Sequence, residues 1–147
     1  MQHYVSYALE QLANAGLKIT QPRRMLVELL AKSDKVLSPY DMKDVLEKRG
    51  IRADVVTIYR VMEVLDAINL VHKVLAFNGY IRCNTEKMAG SDCHHYLLCQ
   101  RCHRVEEVEG ENLDQLEKKI ARNHHFQVQS HYLEFMGLCQ KCNKKKK

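Results

Sequence analysis

The sequence predicts a mixed α/β (α+β) chain of two small domains, an N-terminal winged helix-turn-helix and a C-terminal α/β domain braced by metal. Three observations carry this reading. Helical periodicity through residue 68 runs into a short β pattern around Asn78-Gly79, the element order of a winged helix. The polar stretch "NTEKMAGSD" (84–92) then interrupts the pattern and separates a first domain (1–84), a linker (85–92) and a second domain (93–147). Two Cys-x-x-Cys pairs, Cys99/Cys102 and Cys139/Cys142, bracket most of the second half.

The elements follow in order. Residues 3–15 place Val5, Ala8, Leu9 and Leu12 at helical spacing. Thr20 can cap a second helix, with Pro22 in its first turn and Met25, Leu26, Leu29 and Leu30 as its apolar stripe. "SPYD" opens a third: Ser38 is the N-cap, Pro39 the first helical position and Asp41 the acid of a capping box. Gly50 ends it. Asp54 caps a fourth helix (54–68) with Val55, Ile58, Val61, Met62 and Leu65 turned inward. "NLVHKVLAFNGYIRC" then reads as a hairpin, with Asn78-Gly79 as a two-residue turn at positive φ. In the second half "HYLLC" and "RVEEVEG" read as strands, 112–124 as a helix carrying Leu113, Leu116 and Ile120, and "FQVQSHYLEFMGLC" as a strand. This domain is small enough to need a metal or a second subunit to complete its core.

Composition narrows the class. About 46% of the 147 residues are hydrophobic, which suits a globular chain. A leader-like N-terminus and an apolar stretch near 18 residues are both missing, so a soluble cytoplasmic protein is expected, with no membrane partner. Thiols stay reduced in that compartment, and six cysteines then read as metal ligands before disulfides. Residues 1–85 carry 12 Lys and Arg against nine acids. Residues 86–147 turn net acidic once the Lys144–Lys147 tail is set aside. The basic N-terminal half is compatible with nucleic acid, and equally with ordinary solubility.

Four thiolates satisfy tetrahedral Zn²⁺ and leave no position for substrate, so Cys99, Cys102, Cys139 and Cys142 read as a structural zinc site. Disulfides or a redox pair are the alternatives. The remaining candidates are Cys83, Cys93 and the histidines. His3, His103 and the His124-His125 pair read as surface residues. His72 and Cys83 lie on opposite arms of the hairpin, near the linker leading to His94, and Glu107 could add a fourth ligand. Thiolate with imidazole selects Zn²⁺ over oxygen-preferring ions. In an extended "CHHYLLC", Cys93 and His95 point away from His94, so the stretch can feed three sites. No HExxH and no phosphate-binding Gly loop is present, which disfavours a zinc hydrolase. A thiol oxidoreductase and a zinc-stabilised interaction module without DNA are the other rivals.

"LKITQPRR", "TIYRVMEVL" and the paired Cys-x-x-Cys motifs resemble the ferric uptake regulator family of metal-responsive repressors over nearly the whole chain. "SPYDM" is similar to the "SAYDL" of its zinc uptake regulator branch, and "LVHKVLAFNGYIRC" to that branch's His–hairpin–Tyr-x-x-Cys segment. The resemblance implies a winged helix, a hinge and a C-terminal α/β dimerisation domain. It implies a regulatory zinc on His72, Cys83, His94 and Glu107, and the structural zinc on the four cysteines. A possible third site falls on Cys93, His95, Asp114 and His131, where the family often has His in place of Cys93. The resemblance puts Tyr59 and Arg60 on the recognition helix, with Tyr40, Thr57, Lys18, Thr20 and Arg23 near phosphates or base edges. It implies a zinc-responsive repressor of zinc-uptake genes that binds operator DNA as a homodimer and is not an enzyme. An iron or peroxide sensor of the same family is the alternative.

Overall fold

The computed structural model describes residues 2–83, 95–108, 111–129 and 132–144, with backbone alone at 2 and at 111–114. They fall in two compact units, Met1–Lys87 and Met88–Lys147.

The first unit holds α1 (Gln2–Asn14), α2 (Gln21–Lys32), α3 (Pro39–Lys48), α4 (Val55–Ala67) and a ribbon of β1 (Val71–Val74) and β2 (Gly79–Arg82). Its core gathers Leu26, Leu30, Met42, Leu46, Ile58, Met62 and Leu65, all fully buried. Val55 is only half-buried. On α1 Ala8 and Leu12 are buried as expected, Val5 and Leu9 pack at the margin, and Tyr4 joins the buried line. The caps explain the helix starts. Ser38 and Asp41 close a capping box, and the Asp54 carboxylate accepts the Thr57 N–H at 2.6 Å. Thr20 stands at the N-cap of α2, but its side chain makes no capping bond. The C-terminal ends of α1, α3, α4 and α5 (Glu111–Asn123) share one device. A left-handed residue (Gly16, Gly50, Asn69, His125) is followed by an N–H that reaches back five residues, as Leu17 does to Leu12 and Phe126 to Ala121.

The ribbon departs from a two-residue Asn-Gly turn. Leu75–Phe77 form a 3₁₀ turn, Asn78 alone is left-handed (φ 44°), and Gly79 already pairs with Val74. The three apolar residues before Asn78 close on themselves, so the loop is four residues long. Gly79 serves packing instead. A bridge between Leu37 and Tyr80 lays the α2–α3 connection against β2, and a Cβ at Gly79 would stand 2.8 Å from the Leu37 carbonyl oxygen. Gly79→Ala is therefore expected to destabilise the first unit by about 1–3 kcal/mol in urea melts.

The second unit holds β3 (His95–Cys99), β4 (Val105–Val108), α5, β5 (Leu133–Gly137) and α6 (Gln140–Lys144). The sheet order is β4-β3-β5, with β3 antiparallel to β4 and parallel to β5. A parallel pair needs a crossover, and α5 provides it. The strand expected from Phe126 shrinks to Leu133–Gly137 because Phe126 is spent closing α5. The short α6 was not foreseen, and Lys144 belongs to it.

Candidate metal centres and nucleic-acid interface

The four cysteines of the paired motifs come from three places: the end of β3, the turn after it, and the start of α6. The Cys99 N–H bonds to the Arg104 carbonyl, and the Gln100 N–H bonds to that of Gly137, which ties the first pair to β5. Cys142 and Asn143 both donate backbone N–H bonds to the Cys139 carbonyl, which winds the second pair into helix. The four sulfur atoms lie within 4.8 Å of one another. Cys102 and Cys139 sulfurs are 3.8 Å apart, the edge length of a tetrahedron built on metal–sulfur bonds of about 2.3 Å. The Cys139 N–H points at the Cys99 sulfur at 3.3 Å. That N–H, with the one at Cys102, lowers the Cys99 thiol to about 6. Desolvation and the neighbouring sulfurs push the Cys142 thiol up to about 12. Four thiolates this close repel one another, and a bound dication removes that obstacle. The cluster can hold a metal. Among the described residues it is the one group of three or more potential ligands drawn together in this way.

The second candidate set is divided between the two units. His72 pairs with Ile81 across the ribbon, and the Cys83 N–H continues the ladder to the Leu70 carbonyl. Strand alternation therefore puts His72 and Cys83 on one face as diagonal neighbours, within about 7–8 Å backbone to backbone. Cys83 is 1% exposed, and Nε2 of His72 is buried. Tyr4 belongs to this corner and was missed. Its hydroxyl donates to the Leu70 carbonyl at 2.7 Å, the same oxygen that Cys83 N–H uses. Burial first, and then the Cys83 sulfur, raise the Tyr4 phenol well above its ordinary value. The signal was there in the Tyr4, Ala8, Leu12 spacing. Glu107 lies in the second unit, on β4 opposite Tyr96 and hence on the face of β3 away from His95. His94 lies outside the described residues.

Of the third set, His95 is buried at 3% exposure and lies between Val108 and Leu133. Asp114 is on α5, and its side chain is not described. Cys93 and His131 lie outside the described residues. His103 and His125 are exposed at left-handed turns, and His124 is exposed at the end of α5.

The nucleic-acid candidates cluster on the first unit. Thr57 and Arg60 are exposed on α4 and Tyr59 is half-buried. The Thr57 N–H holds the Asp54 carboxyl below its usual range. Tyr40 stands 64% exposed in the first turn of α3. Lys18 and Thr20 are exposed before α2. Arg23 is half-buried, and its guanidinium donates to the Lys18 carbonyl at 2.7 Å, so it props the Lys18 loop. Among the described residues no helix is long and apolar enough to cross a membrane.

Fold and site together define a winged-helix protein with a four-cysteine cluster able to hold a metal. Residues 14–136 match the ferric uptake regulator family. The ferric uptake regulation proteins of Legionella pneumophila and Bacillus subtilis (strain 168) are 33% and 29% identical, over 90% and 99% of this chain and 96% and 98% of their own. A zinc uptake regulator solved with zinc and DNA superposes with a TM-score of 0.87 at 26% identity, over 98% of this chain and 95% of that one. The chain belongs to the ferric uptake regulator family, whose members are metal-responsive transcription regulators. It has the family's N-terminal winged helix-turn-helix and C-terminal dimerisation domain.

Proposed function

We propose that this chain is a zinc-responsive repressor that binds operator DNA as a homodimer and controls zinc-uptake genes in the cytoplasm. The observation that carries the metal choice is Cys83, a buried thiol diagonal to His72 on the ribbon. Together with His94 and Glu107 these residues form a regulatory site of one thiolate, two imidazoles and one carboxylate, a donor set that suits Zn²⁺ better than Mn²⁺ or Mg²⁺. The similarity to a zinc uptake regulator solved with zinc and DNA supports the same reading. A dication on these four ligands supplies a cross-link between the winged helix and the second domain. Cross-linking favours the state whose two winged helices match two half-sites, and the regulation is then ordinary linkage. The Cys₄ cluster holds a structural zinc. Cys93, His95, Asp114 and His131 form a possible third site.

The homodimer is supported by apolar surface on the second unit. Leu97, Phe135, Met136 and Leu138 line an open groove of about 490 Å³ beside Cys99 and Cys139, and Phe135 and Met136 are 46% and 58% exposed. A second copy covers that face. On DNA, Arg60 reads guanine O6 and N7, with Tyr59, Tyr40, Thr57, Lys18, Thr20 and Arg23 at phosphates or base edges. An iron or peroxide sensor is the second reading, because relatives named for ferric uptake regulation are 29–33% identical.

The test is fluorescence anisotropy on an A·T-rich inverted-repeat duplex across buffered free Zn²⁺, Fe²⁺ and Mn²⁺. Zinc alone is expected to switch binding on, at free concentrations above those that fill the Cys₄ cluster. Equal response to iron or manganese would give the case to the second reading.

A further inference from the structure

Large hydrophobic side chains that stay exposed in the first unit occur, among the described residues, at three places only: Tyr40, Val56 and Leu75. Tyr40 is in the first turn of α3, Val56 in the first turn of α4, and Leu75 in the turn that joins the two strands of the wing. A winged helix presents the start of its recognition helix to base edges. Val56 is 59% exposed, while the opposite side of α4 is filled by Ile58, Val61, Met62 and Leu65. It packs no core. As a β-branched residue it also gives the helix less than Ala would. It lies one turn before Arg60 on the same face, since positions i and i+4 are neighbours. This end of the helix suits bases better than phosphates. The Thr57 N–H is already taken by the Asp54 carboxylate, and that charge repels a phosphate.

From this placement we infer that Val56 is a specificity-determining residue that packs on the 5-methyl group of a thymine, one helical turn from the base read by Arg60. The inference rests on the DNA-binding reading above. The thymine methyl is the one apolar group on the major-groove edge of the bases, and a small branched side chain is its natural contact. Losing one buried methyl contact is expected to weaken binding about 3–5-fold.

The test uses the full-length, zinc-loaded protein and the duplex it enriches from a random-sequence pool. Each thymine of that duplex is replaced in turn by deoxyuridine, which removes the methyl and leaves the pairing edge intact. Wild-type protein is expected to lose about 3–5-fold at one thymine per half-site. Val56→Ala is expected to bind the thymine duplex more weakly by the same factor and to be indifferent to deoxyuridine at that position. Arg60→Ala should keep the thymine-to-uridine difference. The substitution to Ala favours helix, so an unchanged or higher melting temperature excludes unfolding as the cause. The inference is overturned if Val56→Ala retains the full deoxyuridine effect at every position, or if no thymine shows one. If the pool yields no enriched duplex, the DNA-binding reading fails first and takes this inference with it.

Discussion

On the proposed reading of the Cys₄ cluster as a structural zinc site, replacing Cys99 by serine is expected to release the metal and unfold the second unit, because the four sulfurs join the end of β3 and the turn after it to the start of α6. Cys99 ends the first strand of that unit and Cys139 precedes its last helix, 40 residues further on. What else links them is the parallel pairing of β3 with β5 and a few backbone bonds. The apolar residues of this unit, among them Leu97, Leu116, Ile120, Phe135 and Met136, are largely exposed on a single chain. Loss of a structural metal belongs with the few single changes that cost more than about 4 kcal/mol. For a unit of this size that is a drop of roughly 15 °C or more in melting temperature. Calorimetry of the full chain should show the second unit's transition lost, while mass spectrometry under native conditions shows one bound ion fewer. A variant that keeps both its transition and its metal would mean that these cysteines do not form the centre. The metal-loaded wild type should also resist acid less well than a metal-free fold of equal stability would. The thiolate ligands are regained by protons as pH falls, so affinity and the stability linked to it are lost together.

Cys83→Ser is expected to act in the opposite way, sparing the fold and removing regulation. Serine is nearly isosteric, and the backbone bond from residue 83 to the Leu70 carbonyl is untouched. Burial of a hydroxyl in place of a thiol should cost about 1–2 kcal/mol. The lost thiolate should leave His72, His94 and Glu107 unable to hold zinc at the same free concentration. Duplex affinity at saturating zinc should then fall to its metal-free level. Typical coupling free energies put that fall between about 5-fold and 150-fold. Circular dichroism checks the fold, and anisotropy against zinc checks the switch. Normal zinc-dependent binding by Cys83→Ser would remove His72 and Cys83 from the regulatory site. Tyr4→Phe offers a graded companion. Its hydroxyl shares the Leu70 carbonyl with the Cys83 N–H. Losing it should shift the zinc midpoint modestly without abolishing the response.

Much of the first unit was legible because its signals are local. The Ser38–Asp41 capping box, the Asp54 cap and the Gly50 stop each act within five residues, and the structure bears all three out. The paired Cys-x-x-Cys motifs announced a thiolate cluster, since two residues between cysteines is the spacing a metal turn needs. The misreadings share a cause. The composition of Asn78-Gly79 alone predicts a two-residue turn, whereas Gly79 is small because Leu37 and Val36 lie over it. The strand expected from Phe126 ignored that the end of α5 takes up Phe126 as part of its cap.

By itself, then, the sequence determined the five longer helices, the Ser38 and Asp54 caps, the order of the larger elements, the thiolate chemistry and the family. These depend on neighbours in the chain, on periodicity and on side-chain chemistry, none of which needs a third dimension. Only the tertiary structure decided that β3 runs parallel to β5, which draws Cys99 and Cys139 together. It alone placed Tyr4 against the Leu70 and Cys83 backbone, and left Val56 and Tyr40 bare at the ends of two helices. Those outcomes join residues tens of positions apart. They are settled by which apolar faces bury one another, a property of the whole packed chain.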